Sequence, residues 1–300
     1  MTFGQRLRAL LSAVRPRQWV KNGLVVVAPA AAGVLSQRSV AIHTLVAFAA
    51  FTALASSIYL FNDVRDVEAD RLHPKKKFRA IASGAVSPRV AVILGIALLA
   101  SSFLVPVLFL HQITGLVVVL AIYAGIQLFY VLGGKELPVL ELAMVASGFL
   151  LRSIAGAEAS HLYVSSWFLV VISFGALFLV VGKRFAEVKL LESGARAHRK
   201  VLGEYSEHFL RSALTLTAGV TVTAYCLWAF DSSITGLSSV HHEAAAIRLT
   251  VIPVVLAILH ILRLLENGEG GAPEDLVLND RIFQALGFAW ALCFAIGIYG

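Results

Sequence analysis

From Val40 to Phe61 the chain carries no Asp, Glu, Lys or Arg, and it then reads Asn62-Asp63-Val64-Arg65-Asp66-Val67-Glu68-Ala69-Asp70. Twenty-two uncharged residues make roughly 33 Å of α-helix at about 1.5 Å per residue, enough to cross a hydrocarbon core of about 30 Å. Such a segment has to be helical, because a backbone facing lipid must satisfy its own hydrogen bonds. The acids that follow stand where a crossing helix leaves the membrane. A membrane bundle with polar chemistry at its helix ends is the expectation this junction sets.

The rest of the chain agrees. It has 300 residues, 58% hydrophobic and 14% charged, with a mean hydropathy of +0.82. Soluble domains run near ~45–50% apolar and ~25% charged. The shift excludes a soluble enzyme, a disordered chain and a nucleic-acid-binding domain, so no nucleic-acid partner is expected. Cys226 and Cys293 both lie in apolar runs and offer no disulfide or metal spacing. Arg6, Arg8, Arg15 and Arg17 precede the first apolar stretch and no cleavage site follows it, so a signal peptide is not expected.

Nine apolar stretches, 20–36, 40–61, 90–110, 112–132, 138–157, 163–182, 208–230, 246–264 and 282–299, predict an all-α polytopic bundle of nine transmembrane helices in one domain, 1–300. The basic residues orient it. Counting alternate loops from the N-terminus, 22 Lys and Arg fall on one side and only Arg38 and Arg248 on the other. By the positive-inside rule the N-terminus is cytoplasmic and, after nine passes, the C-terminus is outside. The formal charge of +7 is therefore mostly topology. Two long cytoplasmic loops follow the second and sixth stretches, around 62–89 and 183–207.

If the helix continues past Phe61, Asp63, Asp66 and Asp70 stand at i, i+3 and i+7 and share one face with Asn62. Clustered carboxylates repel, and a cation relieves the repulsion. Hard oxygen donors without His or Cys favour Mg²⁺, which binds through one or two carboxylates plus substrate phosphates. The next residues, His73-Pro74-Lys75-Lys76-Lys77-Phe78-Arg79, add cations suited to phosphate. Carboxylates for a metal beside cations for phosphate are the arrangement a diphosphate site needs, with Asn62, Asp63, Asp66 and Asp70 as candidate ligands and Lys75, Lys77 and Arg79 as candidate phosphate contacts; the alternative is a solvated charged loop relieved by Arg65 and Arg71. Arg152 lies inside an apolar stretch, where an unpaired arginine costs about 2.5–3.5 kcal/mol, so it is expected to face the interior and meet an anionic substrate or a buried carboxylate. Glu141, three turns earlier on the same helix, cannot reach it.

Asn62-Asp63-x-x-Asp66-x-x-x-Asp70 followed by Arg79-Ala80-Ile81-Ala82-Ser83-Gly84 resembles the first aspartate-rich motif of the UbiA superfamily of intramembrane transferases. That resemblance implies a diphosphate bound through Mg²⁺ by two motifs on opposing helices. Three further segments resemble one branch, the actinobacterial decaprenyl-phosphate phosphoribosyltransferases. They are Arg15-Pro16-Arg17-Gln18-Trp19-Val20-Lys21-Asn22, Gly182-Lys183-Arg184-Phe185-Ala186-Glu187, and Pro273-Glu274-Asp275 with Asp280-Arg281. The branch implies transfer of 5-phosphoribosyl from 5-phosphoribosyl diphosphate to decaprenyl phosphate, a membrane lipid, for cell-wall arabinan precursors.

On that resemblance Asp63, Asp66 and Asp70 are the catalytic set. Lys183, Arg184 and Glu187 are implied on the donor, and Arg17, Lys21 and Asn22 on the lipid phosphate. Tyr59, one turn before Asp63, and Tyr205 are each either a hydroxyl to phosphate or an interfacial aromatic. The superfamily's second aspartate pair is missing; the region offers Glu187 and, further on, Glu192. This speaks against the alternative of a prenyl diphosphate and an aromatic acceptor. A secondary transporter is a further alternative, but it would place its acids near the midplane. His43, His111, His161, His241 and His242 are expected on the outer face, and His260 is expected to be a packed core residue. The acidic segment from Glu269 to Asp280 carries no assigned role. The sequence leaves the oligomeric state open, a homo-oligomer included.

Overall fold

The structure is a computed structural model that describes residues 3–111, 114–192, 200–231, 241–268 and 279–300. Every regular element among them is helical. In chain order they are α1 (Phe3–Ala13), a 3₁₀ segment (Pro16–Val26), α2 (Val27–Ala31), α3 (Arg38–Arg65), α4 (Val67–Leu72), α5 (Pro88–Phe109) and α6 (Thr114–Leu132). After these come α7 (Leu140–Ala159), α8 (Ser166–Glu192), α9 (Glu207–Phe230), α10 (His241–Leu249), α11 (Val251–Glu266) and α12 (Arg281–Tyr299). Eight helices among the described residues are long and apolar enough to cross a membrane.

The first predicted stretch, 20–36, departs from the expected single α-helix: it is the 3₁₀ segment followed by the five-residue α2. Pro29 has no N–H for the carbonyl of Val25 four residues back, so the α-ladder is interrupted there. The Val25 carbonyl instead approaches Gly156 of α7 so closely that a Cβ on Gly156 would stand 1.8 Å from it. Two other predicted ends move outward. α3 runs to Arg65, and α8 runs ten residues past 182. Lys183, Arg184 and Glu187 therefore stand on a helix rather than in a loop, an extension supported by the Arg184–Glu187 pair at i, i+3.

The chain packs as two compact units. The first comprises Met1–Leu132 and Leu151–Leu162. In its core, Ala47, Phe51 and Leu54 of α3 pack with Leu120 and Tyr123 of α6, Ala155 of α7, and Val25. A second apolar cluster, Leu60, Ile81, Val86, Ala91 and Ala13, lies next to the acidic junction. There Phe61 lies against Gly95 of α5, where a Cβ would come within 2.8 Å of the ring. Ser87 caps α5 by accepting from the Val90 N–H (3.4 Å), with Pro88 opening the helix.

The second unit comprises Gly133–Leu150 and Tyr163–Gly300. Phe178, Val181 and Phe185 of α8, Leu210 and Leu214 of α9 and Ile261 and Leu265 of α11 form its core. Tyr225 donates to Thr250 (2.7 Å) and accepts from the Trp290 indole (2.7 Å). Ile93 and Phe109 of α5 and Phe288 and Leu292 of α12 are exposed. Apolar side chains of that size facing outward along crossing helices are the surface a bilayer covers.

Candidate active site

In the first unit, α3 carries Asn62 and Asp63 near its C-terminal end and stops at Asp66, whose backbone (φ −89°, ψ 9°) leaves the helix. α4 then restarts and carries Asp70. The expected single face with three carboxylates is therefore broken at Asp66. Among the described residues, no three His, Cys, Asp or Glu side chains gather as a preformed metal cluster. Asp63 and Asp70 are both buried, whereas Asp66 and Asn62 are half-buried.

Cations already lie on the two buried carboxylates. Arg79 uses one nitrogen, Nη1, to donate to Asp63 (3.1 Å) and to Asp70 (2.6 Å). Arg15 donates to the same Asp63 oxygen and places its guanidinium 5.1 Å from the Tyr59 ring. Arg15 also holds a left-handed backbone, φ 55°, a conformation that costs a non-glycine residue energy and clusters at functional sites. Sequence reasoning assigned Arg15 no site role. Lys76 reaches within 4.0 Å of Asp70, while the expected Lys75 and Lys77 are exposed, with Lys77 over Phe78. The donor set is all hard oxygen and fits Mg²⁺ by its chemistry, through one or two carboxylates plus phosphate.

Deeper in the same unit, Arg152 is 5% exposed and faces inward, as expected of a charge in a crossing helix. Its Nε donates to Asn22 Oδ1 (2.8 Å) and its Nη2 to the Tyr123 hydroxyl (3.1 Å). The guanidinium stands 5.1 Å from the Phe51 and Tyr123 rings. Asn22 turns its amide nitrogen to Thr52 (3.0 Å), which fixes the carboxamide. Arg17 is exposed and is not gathered into this cluster.

The second unit gives Arg184 and Tyr205 partners within the protein. Arg184, expected on phosphate, is enclosed: Nε and Nη2 donate to Glu141 (2.7 and 2.8 Å), and Nη1 donates to Glu187 (2.7 Å). Glu141 had no predicted role and is fully buried. Tyr205 donates to Glu141 (3.5 Å) and accepts from the Val139 N–H (2.8 Å). Val139 has a φ of 63°, unusual for a β-branched residue. Burial pushes the Tyr205 phenol above its ordinary pKa. Lys183 is half-buried on α8.

His260 is not merely packed. It bonds both carboxylate oxygens of Asp280 (3.0 Å each), and Asp280 caps α12 by accepting from the Phe283 N–H (2.6 Å). That backbone bond first, and His260 second, hold the Asp280 carboxyl below the usual carboxylate range. Pro273, Glu274 and Asp275, the rest of 269–278, and Arg196 and Arg199 of the 183–207 loop lie outside the described residues, as does the side chain of Glu192.

An all-helical chain with eight apolar helices and buried aspartates at a helix end is a polytopic membrane bundle with a polar site, and the chain belongs to the UbiA prenyltransferase family, which it matches over residues 24–292. Its fold is similar to a UbiA homolog from Archaeoglobus fulgidus bound to GPP and Mg²⁺, with a TM-score of 0.67, 17% identity, and coverage of 96% of this chain and 98% of that one. Within the family the chain is similar to the decaprenyl-phosphate phosphoribosyltransferase of Corynebacterium glutamicum, 40% identical over 296 residues, covering 97% of this chain and 86% of the relative. The enzyme of the same name from Mycolicibacterium smegmatis is 43% identical over 296 residues, with coverage of 97% and 92%. That from Mycobacterium tuberculosis is 41% identical over 289 residues, with coverage of 94% and 91%.

Proposed function

We propose that this chain is a decaprenyl-phosphate phosphoribosyltransferase. It joins 5-phosphoribosyl diphosphate to a long polyprenyl phosphate and releases diphosphate. Near-full-length identity of 40–43% to curated enzymes of that name carries the reading. The site chemistry supports it. A phosphate monoester is mostly dianionic at pH 7, its second pKa being about 6, so the acceptor needs no general base. An acceptor phosphate oxygen attacks the anomeric carbon, the bond from that carbon to the diphosphate oxygen breaks, and direct displacement inverts the centre. The difficulty lies in bringing two anions together and stabilising the leaving group.

Asn62, Asp63, Asp66 and Asp70 would hold Mg²⁺, which when bound supplies positive charge to the departing diphosphate. Arg79, Arg15 and Lys76 neutralise donor phosphates. Asn22, Arg152 and Lys21, with Arg17 at the surface and the Tyr59 hydroxyl nearby, take the lipid phosphate while its tail lies against apolar helices. Lys183 and Glu187 keep the donor-binding role that the resemblance gives them, and Arg184 holds Glu187.

The reading places the chain in the plasma membrane as one domain with its chemistry on the cytoplasmic side, the N-terminus inside and the C-terminus outside. Nine crossings follow if the 3₁₀ segment and α2 cross together. The test is direct. The purified chain in nanodiscs, given labelled 5-phosphoribosyl diphosphate, decaprenyl phosphate and Mg²⁺, should form labelled lipid. No labelled lipid, or prenyl transfer to an aromatic acceptor instead, overturns the proposal.

A further inference from the structure

Asp63 and Asp70 are buried carboxylates whose charge is already balanced from within the protein, by Arg79 across both and Arg15 on Asp63. A divalent cation arriving alone would meet those carboxylates with two guanidinium groups in its way. A diphosphate arriving alone would meet the guanidinium groups with two carboxylates behind them. Each ligand by itself faces like charge, whereas the two together let every group keep an opposite partner. Carboxylates pass to the metal and guanidinium groups to the phosphates.

The two arginines are built for such an exchange. Arg79 spends a single nitrogen on both aspartates, which leaves the rest of its planar fork for a phosphate, and its side chain is 28% exposed. It sits just past a three-residue 3₁₀ turn, on extended backbone. Arg15 contributes one nitrogen from a side chain that is 25% exposed, on a left-handed residue between two helical segments. Arg184 makes the contrast. It commits Nε, Nη1 and Nη2 to Glu141 and Glu187 and is 4% exposed, so it has nothing to offer a ligand.

We infer that Arg15 and Arg79 are resident counter-cations of the aspartate cluster, so that the divalent ion and the donor's diphosphate bind with positive coupling. This rests on the reading of the first cluster as a metal–diphosphate site. Coupling between two ligands is reciprocal and typically about 5- to 150-fold.

Binding of Mn²⁺ to the full chain in nanodiscs, read by electron paramagnetic resonance and corrected for the Mn²⁺–diphosphate complex in buffer, tests it. Inorganic diphosphate should tighten Mn²⁺ binding about 10-fold or more in the wild type. In Arg79→Gln, Mn²⁺ alone should bind tighter than in the wild type and the coupling should fall below about 3-fold. Arg79→Lys keeps the charge and should restore much of the coupling. Arg15→Gln removes only the second cation and serves if Arg79→Gln does not fold by size exclusion and circular dichroism; it too should loosen the coupling. Equal Mn²⁺ affinity with and without diphosphate in the wild type overturns the inference and leaves the metal site standing. So does unchanged coupling in the folded glutamine variants. No Mn²⁺ binding under either condition overturns the metal-site reading and the inference together.

Discussion

Removing Arg184 alone should harm the protein more than removing Arg184 and Glu141 together. The two side chains are 4% and 0% exposed and share two short hydrogen bonds, so each is costly to leave behind without the other. Breaking a buried ion pair by deleting one partner costs about 3–5 kcal/mol, whereas replacing both by apolar residues is often neutral. Arg184→Met leaves Glu141 charged and wholly buried, which places it at the upper end of that range. Glu141→Leu leaves Arg184 with Glu187, whose side chain is 29% exposed, which places it at the lower end, about 3 kcal/mol. The double variant should cost less than either single one, which makes the coupling in the cycle at least as large as the Arg184→Met cost, about 5 kcal/mol. Denaturant titration in mixed micelles, followed by tryptophan fluorescence, measures all three. Additive losses, or a cost below about 1 kcal/mol for Arg184→Met, would refute the picture of a closed internal pair.

Asp66→Ala should reduce turnover about 100-fold or more while leaving yield, membrane insertion and thermal stability near wild type, because Asp66 is half-buried at a helix break rather than packed in the core; retained turnover would remove the metal role. Gly156→Ala should destabilise by about 1–3 kcal/mol through the clash with the Val25 carbonyl, read as a lower unfolding midpoint in micelles. The Asp280 carboxyl titrates lower in the folded protein than in the unfolded chain. Its stabilisation is therefore complete above the unfolded value of about 4 and is lost as pH falls through the folded value. Asp280→Asn should flatten that acid limb in a pH series of unfolding midpoints, and an unchanged limb would count against the cap.

The crossing helices were legible because lipid imposes one rule along the whole chain, and the aspartate motif was legible because its spacing is local. The interior pairings were not. Asn22 meets Arg152 across 130 residues, Arg15 meets Asp63 across 48, and Glu141 meets Arg184 across 43. No periodicity carries such partners. Arg15 was hidden for a different reason, since a basic residue before a first apolar stretch is already explained by topology. The 3₁₀ segment escaped because hydropathy reports that a stretch is apolar and not how tightly it is wound. His260 looked like packing until the chain brought it to Asp280.

Phe61 seated against Gly95 has a consequence for the residues beside it. A ring lodged in a notch works like a key in a shaft: it resists rotation of α3 about its own axis. One residue of rotation is about 100°, since a turn takes 3.6 residues. Filling the notch with a methyl group would press on the edge of the Phe61 ring, two positions before Asp63. A glycine outside the acidic cluster thus bears on the residue two positions before the carboxylate on which the chemistry is proposed to depend.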